Sequence, residues 1–201
     1  MTLRCSFLAA VVWAGGTLST GHAFASDLDI ELAARVGGGA PNLLHGPNPL
    51  AVGVGARGGV VWRDQFYLGA AVTAYFGETA PEQVTTGSCN FSDSCPVTKV
   101  SASSMLYGLE AGYDFKLAHI IAVRPGAGVG YMSVTMTSQP VGTVSGSRFV
   151  SGYLYVEPAL TVLVAIGQMF FIGVDGGALW LASDETASVV FTGHAQAGVT
   201  F

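Results

Sequence analysis

The chain has few charged residues: only 10% of its 201 residues are Asp, Glu, Lys or Arg, against about 25% in soluble domains. With 8 Lys and Arg against 13 Asp and Glu, it lacks the basic stripe that binds phosphates, which excludes nucleic-acid binding. Beyond residue 25 it also lacks the roughly 18 uninterrupted apolar residues of a spanning helix. Hydrophobic residues nevertheless make up 50% of the chain. This composition indicates a membrane protein without a spanning helix.

The first 25 residues have the three parts of a secretory signal peptide. Arg4 supplies positive charge, Phe7–Ala14 an apolar stretch, and Ala23–Ala25 a small-residue cleavage signal. A membrane anchor is the alternative, but the apolar stretch is short and is interrupted by Gly15 and Gly16. We therefore expect residues 1–25 to be removed and residues 26–201 to form the mature domain.

Eight segments of the mature domain alternate apolar and polar residues with a period of two, which is typical of strands with one apolar face. In the first segment Leu28, Ile30 and Leu32 have one parity, and Asp29 and Glu31 have the other. The eight segments are Leu28–Val36, Leu50–Trp62, Phe66–Phe76, Tyr107–Phe115, Ile121–Tyr131, Tyr153–Val164, Phe170–Trp180 and Phe191–Phe201. Their length of about 10 residues matches a tilted transmembrane strand.

Short and long connections alternate between these segments. Three are short turns, at residues 63–65, 116–120 and 165–169, and four are long or polar, at residues 37–49, 77–101, 133–150 and 182–188. Short turns at one rim and long loops at the other are typical of an eight-stranded, antiparallel, up-and-down transmembrane β-barrel of the bacterial outer membrane. Aromatic residues near both strand ends predict two interfacial girdles: Trp62, Phe66, Tyr113, Phe115, Phe170 and Phe201 near the short turns, and Phe76, Tyr131, Trp180 and Phe191 near the long connections.

The charged parity is predicted to face the lumen, because each ion facing hydrocarbon would cost about 2–4 kcal/mol. An eight-stranded barrel is only just wide enough for side chains, so we expect a packed ion-pair network rather than an open pore. Arg124 is the predicted centre, because its height above the short-turn rim is similar to that of Glu110 and Asp175. The predicted network comprises Asp29, Glu31, Arg35, Arg57, Glu110, Asp114, Arg124, Glu157, Asp175 and His194.

Two other architectures fit the sequence less well. Residues 158–174 carry no charge, but Pro158, Gly167 and the alternation on each side of Gly167 favour a hairpin over a spanning helix. A soluble ligand-binding barrel would be polar outside and apolar inside. Here the charged parity is also rich in glycine, which suits a crowded interior better than a solvent-exposed face.

The sequence offers no evident catalytic constellation. A lipid A deacylase of the PagL type would need a His and a Ser two residues apart on the lipid-facing parity, whereas His194 has the luminal parity and is followed by Gln196. His45 lies in a long connection and His119 at a short turn, and no spacing joins histidines and carboxylates into a metal site. We therefore predict neither catalysis nor a metal or cofactor.

Several stretches together resemble the outer-membrane β-barrel domain family of OmpA and OmpX type. They are Gly108–Phe115, Arg124–Tyr131, Val156–Pro158, Gly173–Gly177 and Ala197–Phe201. The resemblance covers residues 28–201 and depends on the order and spacing of the stretches, since each is loose on its own. It implies an eight-stranded barrel, insertion by the outer-membrane assembly machinery, and recognition by that machinery of the terminal aromatic Phe201 together with Val199.

The connection at residues 77–100 contains two closely spaced cysteines, Cys89 and Cys95. Export would place them in an oxidising compartment, which favours a disulfide; closing so short a loop contributes about 2 kcal/mol. A structural staple is the simpler interpretation, and a hairpin that presents Phe91 to a surface ligand is the alternative. Acids outnumber bases in the long connections, so these connections as a whole favour neither lipopolysaccharide phosphates nor nucleic acid.

These observations predict a monomeric protein of the Gram-negative outer membrane, surrounded by outer-membrane lipid after export to the periplasm. A structural or surface-interaction role is the first interpretation. A narrow channel for ions or small solutes is the alternative, followed by a lipid A-modifying enzyme.

Overall fold

The computed structural model describes residues 28–41, 47–83, 97–140, 146–182 and 188–201. Nine β-strands account for most of these residues. They are β1 (Leu28–Pro41), β2 (Val52–Trp62), β3 (Phe66–Gln83), β4 (Val97–Tyr113), β5 (Phe115–Ala118), β6 (Ile121–Pro140), β7 (Ser147–Ile166), β8 (Phe170–Ala182) and β9 (Ser188–Thr200). In these ranges no helix is long and apolar enough to cross a membrane.

The nine strands close into a barrel with eight strand positions, called walls below, because β4 and β5 together occupy one position. Apart from β4 and β5, which do not pair with each other, each strand pairs antiparallel with its neighbours in the chain. β1 also pairs with β9, so that Ala34 lies opposite both Ala56 and Ala197. β4 and β5 form one wall interrupted at Asp114, because both pair with β6. The strand order confirms the predicted eight-stranded, antiparallel, up-and-down barrel.

Successive side chains alternate between the outer face and the lumen, as the period of a strand requires. Leu68 on β3 is 61% exposed, whereas its neighbour Tyr67 is only 3% exposed. On β9 the outward Phe191 is exposed and the inward Thr192 is buried. The parity that the sequence predicts to face outward is therefore the apolar outer surface.

Several strands extend beyond their predicted ends, β1 to Pro41, β8 to Ala182 and β9 from Ser188, and four others extend further. β3 continues to Gln83 and β4 begins at Val97, while β6 reaches Pro140 and β7 begins at Ser147. Much of the predicted connections at residues 77–101 and 133–150 is therefore paired strand. The prediction ended these strands too early because strict apolar alternation stops where a strand rises above the apolar band, although Ser, Thr and Val residues still pair there.

Leu50 is the clearest exception to the predicted parity. The sequence pattern places it on the outward face, but β2 begins only at Val52 and Leu50 is fully buried in the lumen. The Asn48 side chain accepts a hydrogen bond from the Leu50 N–H (2.9 Å) and donates one to the Gly39 carbonyl (2.8 Å). These bonds turn the chain inward before β2 begins, a local turn that period-two counting does not detect.

Candidate functional site

The lower part of the lumen, near the short turns, is organised around Arg124 on β6. Its Nε and Nη2 atoms donate hydrogen bonds to the two carboxylate oxygens of Asp114 (2.6 and 2.7 Å). Its Nη1 and Nη2 atoms donate to the two oxygens of Glu31 on β1 (2.8 and 2.9 Å). The buried guanidinium thus makes two bidentate ion pairs, the strongest geometry available to arginine.

Asp114 reaches Arg124 because it interrupts the wall formed by β4 and β5. Its backbone N–H donates to the Gln65 carbonyl (2.7 Å) in the neighbouring turn, and its side chain points into the barrel, where it is buried. Glu31 approaches Arg124 from the wall on the far side of the lumen. The ion pair therefore joins walls that share no backbone hydrogen bonds.

Arginines on two strands share one carboxylate in the middle of the lumen. Glu110 on β4 lies 3.3 Å from the Nη1 atom of Arg35 and 3.4 Å from the Nη2 atom of Arg57. Arg35 also donates from Nε to the Thr73 hydroxyl (2.7 Å), and Arg57 from Nη1 to the Gln196 side chain (3.3 Å). The predicted partner Glu110 thus belongs to this group rather than to the ion pairs of Arg124.

Tyr67 on β3 connects the two groups of ions. The guanidinium carbon of Arg124 lies 4.1 Å from the centre of the Tyr67 ring, and that of Arg57 lies 4.6 Å from it. The Tyr67 hydroxyl also accepts a hydrogen bond from Nε of Arg57 (3.3 Å). Cation–π contacts of this kind gain strength when water is excluded, so Tyr67 stabilises both buried arginines at once.

Gly55 provides the space that Arg35 needs. It lies between Arg35 and Thr73 in the register of β1, β2 and β3. A Cβ atom at this position would lie 2.6 Å from the Thr73 hydroxyl, which is the acceptor of the Arg35 hydrogen bond. A glycine on the luminal parity is therefore required where a long side chain crosses its neighbouring strand.

A chain of three side chains lies higher in the lumen. The Tyr75 hydroxyl lies 2.6 Å from Nε2 of His194, and Nδ1 of His194 lies 2.7 Å from Asp175. The neighbouring Glu157 accepts a hydrogen bond from the Thr192 hydroxyl (2.5 Å). Asp175, which the sequence analysis places near Arg124, is thus the partner of His194.

A small cavity lies between these groups and the arginines. It measures about 40 Å³ and is bordered by charged side chains that include Asp175, Glu157 and Arg35. One carboxylate oxygen of Asp175 is buried without a hydrogen-bond partner among the described residues. Because a water needs only about 10–15 Å³ of such space, the cavity is large enough for water to bind there.

An apolar plug closes the lumen above His194. Leu50 packs in a buried cluster with side chains from β3, β4, β6, β7, β8 and β9: Tyr75, Leu106, Met132, Val134, Tyr155, Leu179, Leu181 and Val190. The carbonyl of the buried Pro49 accepts a hydrogen bond from the Ser104 hydroxyl (2.9 Å). The plug therefore consists of strand side chains and of the inward turn at residues 48–51.

The opposite end of the lumen opens into a vestibule of about 290 Å³ at the short-turn rim. Asp29, Lys116 and His119 line it together with the buried Phe171. Asp29 is thus in the lumen but outside the ion pairs of Arg124. Among the described residues, no group of three or more His, Cys, Asp or Glu side chains could hold a metal ion.

Two girdles of aromatic residues border the apolar outer surface. Trp62, Phe66 and Tyr113 of the lower girdle form a chain of ring contacts at the short turns, with centroid distances of 6.1 and 5.0 Å. The upper girdle lies toward the long connections. It comprises Phe76, Tyr107, Tyr131, Trp180 and Phe191, which are 45–63% exposed.

The separation of the girdles follows from the strand geometry. Ten residues separate Phe66 from Phe76 on β3, and Phe170 from Trp180 on β8. At about 3.3 Å per residue and a tilt of about 40°, this spacing corresponds to a band about 25 Å tall, the height of the apolar band of outer-membrane barrels.

Some important luminal residues are absent from the predicted network. Tyr67, Thr73, Tyr75 and Gln196 have the luminal parity, which is the available sequence signal, but they are uncharged, whereas the predicted network contains only charged residues and His194. The predicted signal peptide at residues 1–25 and the predicted pair Cys89 and Cys95 lie outside the described residues.

No protein-family model matches this chain, and no curated protein matches it. Solved structures that are similar to it include the N-terminal β-barrel domain of OprF from Pseudomonas aeruginosa (13% identity, TM-score 0.47, covering 86% of this chain and 97% of that chain). Others are Ail, the attachment invasion locus protein of Yersinia pestis (11%, 0.48, 87% and 98%), and Neisserial surface protein A (18%, 0.41, 86% and 95%). With such low identities and TM-scores below 0.5, the assignment of the barrel depends on the strand pairing of this chain itself.

Proposed function

We propose that this protein is an integral outer-membrane β-barrel with a closed, ion-paired lumen and a structural or surface-interaction role. The observation that carries this proposal is the continuous apolar outer face between the two aromatic girdles. Leu32, Leu160 and Val174 lie near mid-height on this face and are 51–58% exposed. Side chains of this kind are stable on the outside of a barrel only where lipid covers them.

The distribution of charge supports the same proposal. The luminal acids and arginines point away from the outer face, and the ion pairs of Arg124 and Glu110 are largely buried. The remaining exposed cations and acids lie at the rims, as Lys116 and Asp64 do in their ion pair (2.9 Å). A monomeric barrel with an apolar outer face and its charges inside or at the rims would not stay soluble in water unless lipid or detergent covered that face.

The plug favours a closed barrel over a channel. Leu50 and Leu179 are completely buried, and the cluster around them receives side chains from six strands. Below the plug, the arginines and carboxylates fill the lumen and leave a cavity of only about 40 Å³. Ion flow would require the displacement of both layers.

The proposal includes three features from the sequence. Residues 1–25 would direct export and be removed, and Cys89 and Cys95 would form a disulfide. Phe201 with Val199 would be recognised by the assembly machinery. Phe201 is 61% exposed, and its backbone pairs with Ile30 of β1 in both directions (3.0 and 3.1 Å), at the seam where the barrel closes.

The full chain, expressed in a Gram-negative host, should fractionate with the outer membrane, because residues 1–25 direct export and the outer face requires lipid. After purification it should give no steady conductance in planar lipid bilayers, since the plug and the ion network block the lumen. A barrel-wide porin measured in the same bilayers is the positive control. Recovery of the folded protein from the soluble fraction would refute the membrane proposal, whereas steady single-channel currents would favour the narrow channel.

A further inference from the structure

The outer face of β4, β6 and β7 contains an apolar groove of about 680 Å³ at the level of the upper girdle. Tyr107 and Tyr131 lie opposite each other in the register of β4 and β6, and Leu109 and Val129 form the next outward row below them. Ala70 on the neighbouring β3 lines one side of the groove. The groove therefore lies in the half of the apolar band nearest the long connections, where it could hold a lipid acyl chain.

Hydroxyl groups follow on the same outward face above the groove. The outward residues of β4 above Tyr107 include Ser101 and Ser103, and those of β6 above Tyr131 include Ser133, Thr135 and Thr137. The hydroxyl groups can donate and accept hydrogen bonds, and the outward Met105 (39% exposed) and Val150 (61% exposed) lie level with them. Such a mixed face suits a sugar headgroup, which has both hydroxyl groups and apolar ring faces, better than it suits hydrocarbon alone.

The two cations of this region lie at the top of the face, Lys99 above Ser101 and Arg148 level with Thr137. Lys99 on β4 and Arg148 on β7 are exposed and are the only described Lys or Arg residues above the upper girdle. Both side chains have the outward parity of their strands. β4 and β7 lie on either side of β6, and in the register Lys99 is opposite Gln139 of β6 and Arg148 is opposite Thr137. Residues 97–109, 125–140 and 146–156 contain no Asp or Glu, and the acids nearest to Lys99 in the register are Glu78 and Glu82 on the neighbouring β3.

The height of the two cations above the groove restricts which class of lipid can contact both the groove and the cations. Lys99 lies eight residues above Tyr107, and Arg148 lies six residues above Leu154, which pairs with Tyr131. At about 3.3 Å per residue and a tilt of about 40°, these positions are about 15–20 Å above the girdle. The headgroup layer of an ordinary phospholipid bilayer is only about 5–7 Å thick on each side, so an ordinary phospholipid cannot connect the groove to the cations.

We infer that this face of β4, β6 and β7 binds a phosphorylated glycolipid of the lipopolysaccharide class. One acyl chain lies in the groove, the sugars of the core lie against the hydroxyl groups, and core phosphates lie near Lys99 and Arg148. The vertical order of apolar, hydroxyl and cationic side chains matches the order of chemical groups along such a lipid. The inference rests on the proposed function, because it requires the barrel to span an outer membrane.

Binding to the processed protein in neutral phosphatidylcholine nanodiscs tests this inference. The probes are lipopolysaccharide with a phosphorylated core, lipid A without the core, and phosphatidylglycerol. The double variant Lys99→Gln, Arg148→Gln should bind the core-bearing lipopolysaccharide about 10- to 30-fold more weakly, with a much smaller effect on lipid A. The matched control Arg63→Gln, Lys116→Gln removes the same charge at the opposite rim and should leave the Kd within about twofold.

A second pair of variants tests the groove. Ala70→Phe fills the groove from the lipid side and should weaken both core-bearing lipopolysaccharide and lipid A, whereas Ala56→Phe, on the outward face of β2 outside the groove, should not. The inference is overturned if either test variant binds like its control, or if phosphatidylglycerol depends on Lys99 and Arg148 as strongly as lipopolysaccharide does. Failure of the wild-type barrel to insert into the nanodiscs would instead refute the proposed function.

Discussion

Arg124 ties two distant walls of the barrel together through the lumen. Its guanidinium contacts Asp114 next to β5 and Glu31 on β1, and its face lies over the Tyr67 ring. Removal of one member of a buried ion pair is costly because the remaining charge loses both its partner and its access to water. The stability of the barrel should therefore depend strongly on this one side chain.

The substitution Arg124→Ala should lower the free energy of unfolding by about 3–5 kcal/mol, because it leaves the Asp114 and Glu31 carboxylates buried and unpaired. Urea titration of the barrel refolded in lipid vesicles measures this change. Arg63→Ala removes an exposed arginine at a turn together with its contact to the Trp62 ring (4.7 Å) and serves as the control, with an expected loss of at most about 1 kcal/mol. If Arg124→Ala unfolded at the same urea concentration as wild type, the lumen would not be held by this ion pair.

The residues of the lumen could be predicted from sequence more readily than their partners. Parity and the cost of ions in lipid assigned Arg124, Asp114 and Glu31 to the interior, where the structure places them. Which carboxylate meets which arginine depends on the stagger between strands around the closed barrel. One sequence contains no signal for that stagger, so Glu110 was expected beside Arg124 although it contacts Arg35 and Arg57.

The strands and the plug are the elements that shape the two ends of the barrel. β3, β4, β6 and β7 rise well above the upper girdle, whereas β1, β2, β8 and β9 end closer to it. The plug beneath this taller wall depends on the turn at residues 48–51, where Asn48 holds Leu50 in place. The tall wall and the inward turn are the two features that sequence alternation could not predict, because neither has an apolar face with a period of two.

Leu50→Ala should lower the free energy of unfolding by about 2–5 kcal/mol, because the surrounding strands cannot collapse into the space that the side chain leaves. Leu117→Ala is the control, since Leu117 is 70% exposed on β5 and its truncation opens no cavity. The same urea titration compares the two variants. Equal losses at both positions would mean that Leu50 does not pack in a closed plug.

At the scale of the whole molecule, the chain separates its apolar and charged halves by alternation. Apolar residues lie on the outer face one position at a time, and most of the few charges are paired inside or lie at the rims. This distribution was predictable because the cost of charge in lipid decides it for every strand in the same way. Which ligands the barrel binds depends on the chemistry of its loops and surface, and no general rule predicts that chemistry's binding partners from a single sequence.

Trp62 and Trp180, the two tryptophans that follow the proposed signal peptide, provide the most direct test of the lipid-spanning barrel. Trp62 lies in the lower girdle and Trp180 in the upper girdle, and both side chains point outward with exposures of 48% and 54%. Without residues 1–25, which contain Trp13, the variants Trp62→Phe and Trp180→Phe each have a single tryptophan. In vesicles of lipids brominated at different depths, lipid bromine should quench that remaining fluorophore in both variants. Each should lie about 12 Å from the bilayer centre, half the height of the apolar band. Fluorescence that is insensitive to lipid bromination but quenched by a water-soluble quencher would contradict the account.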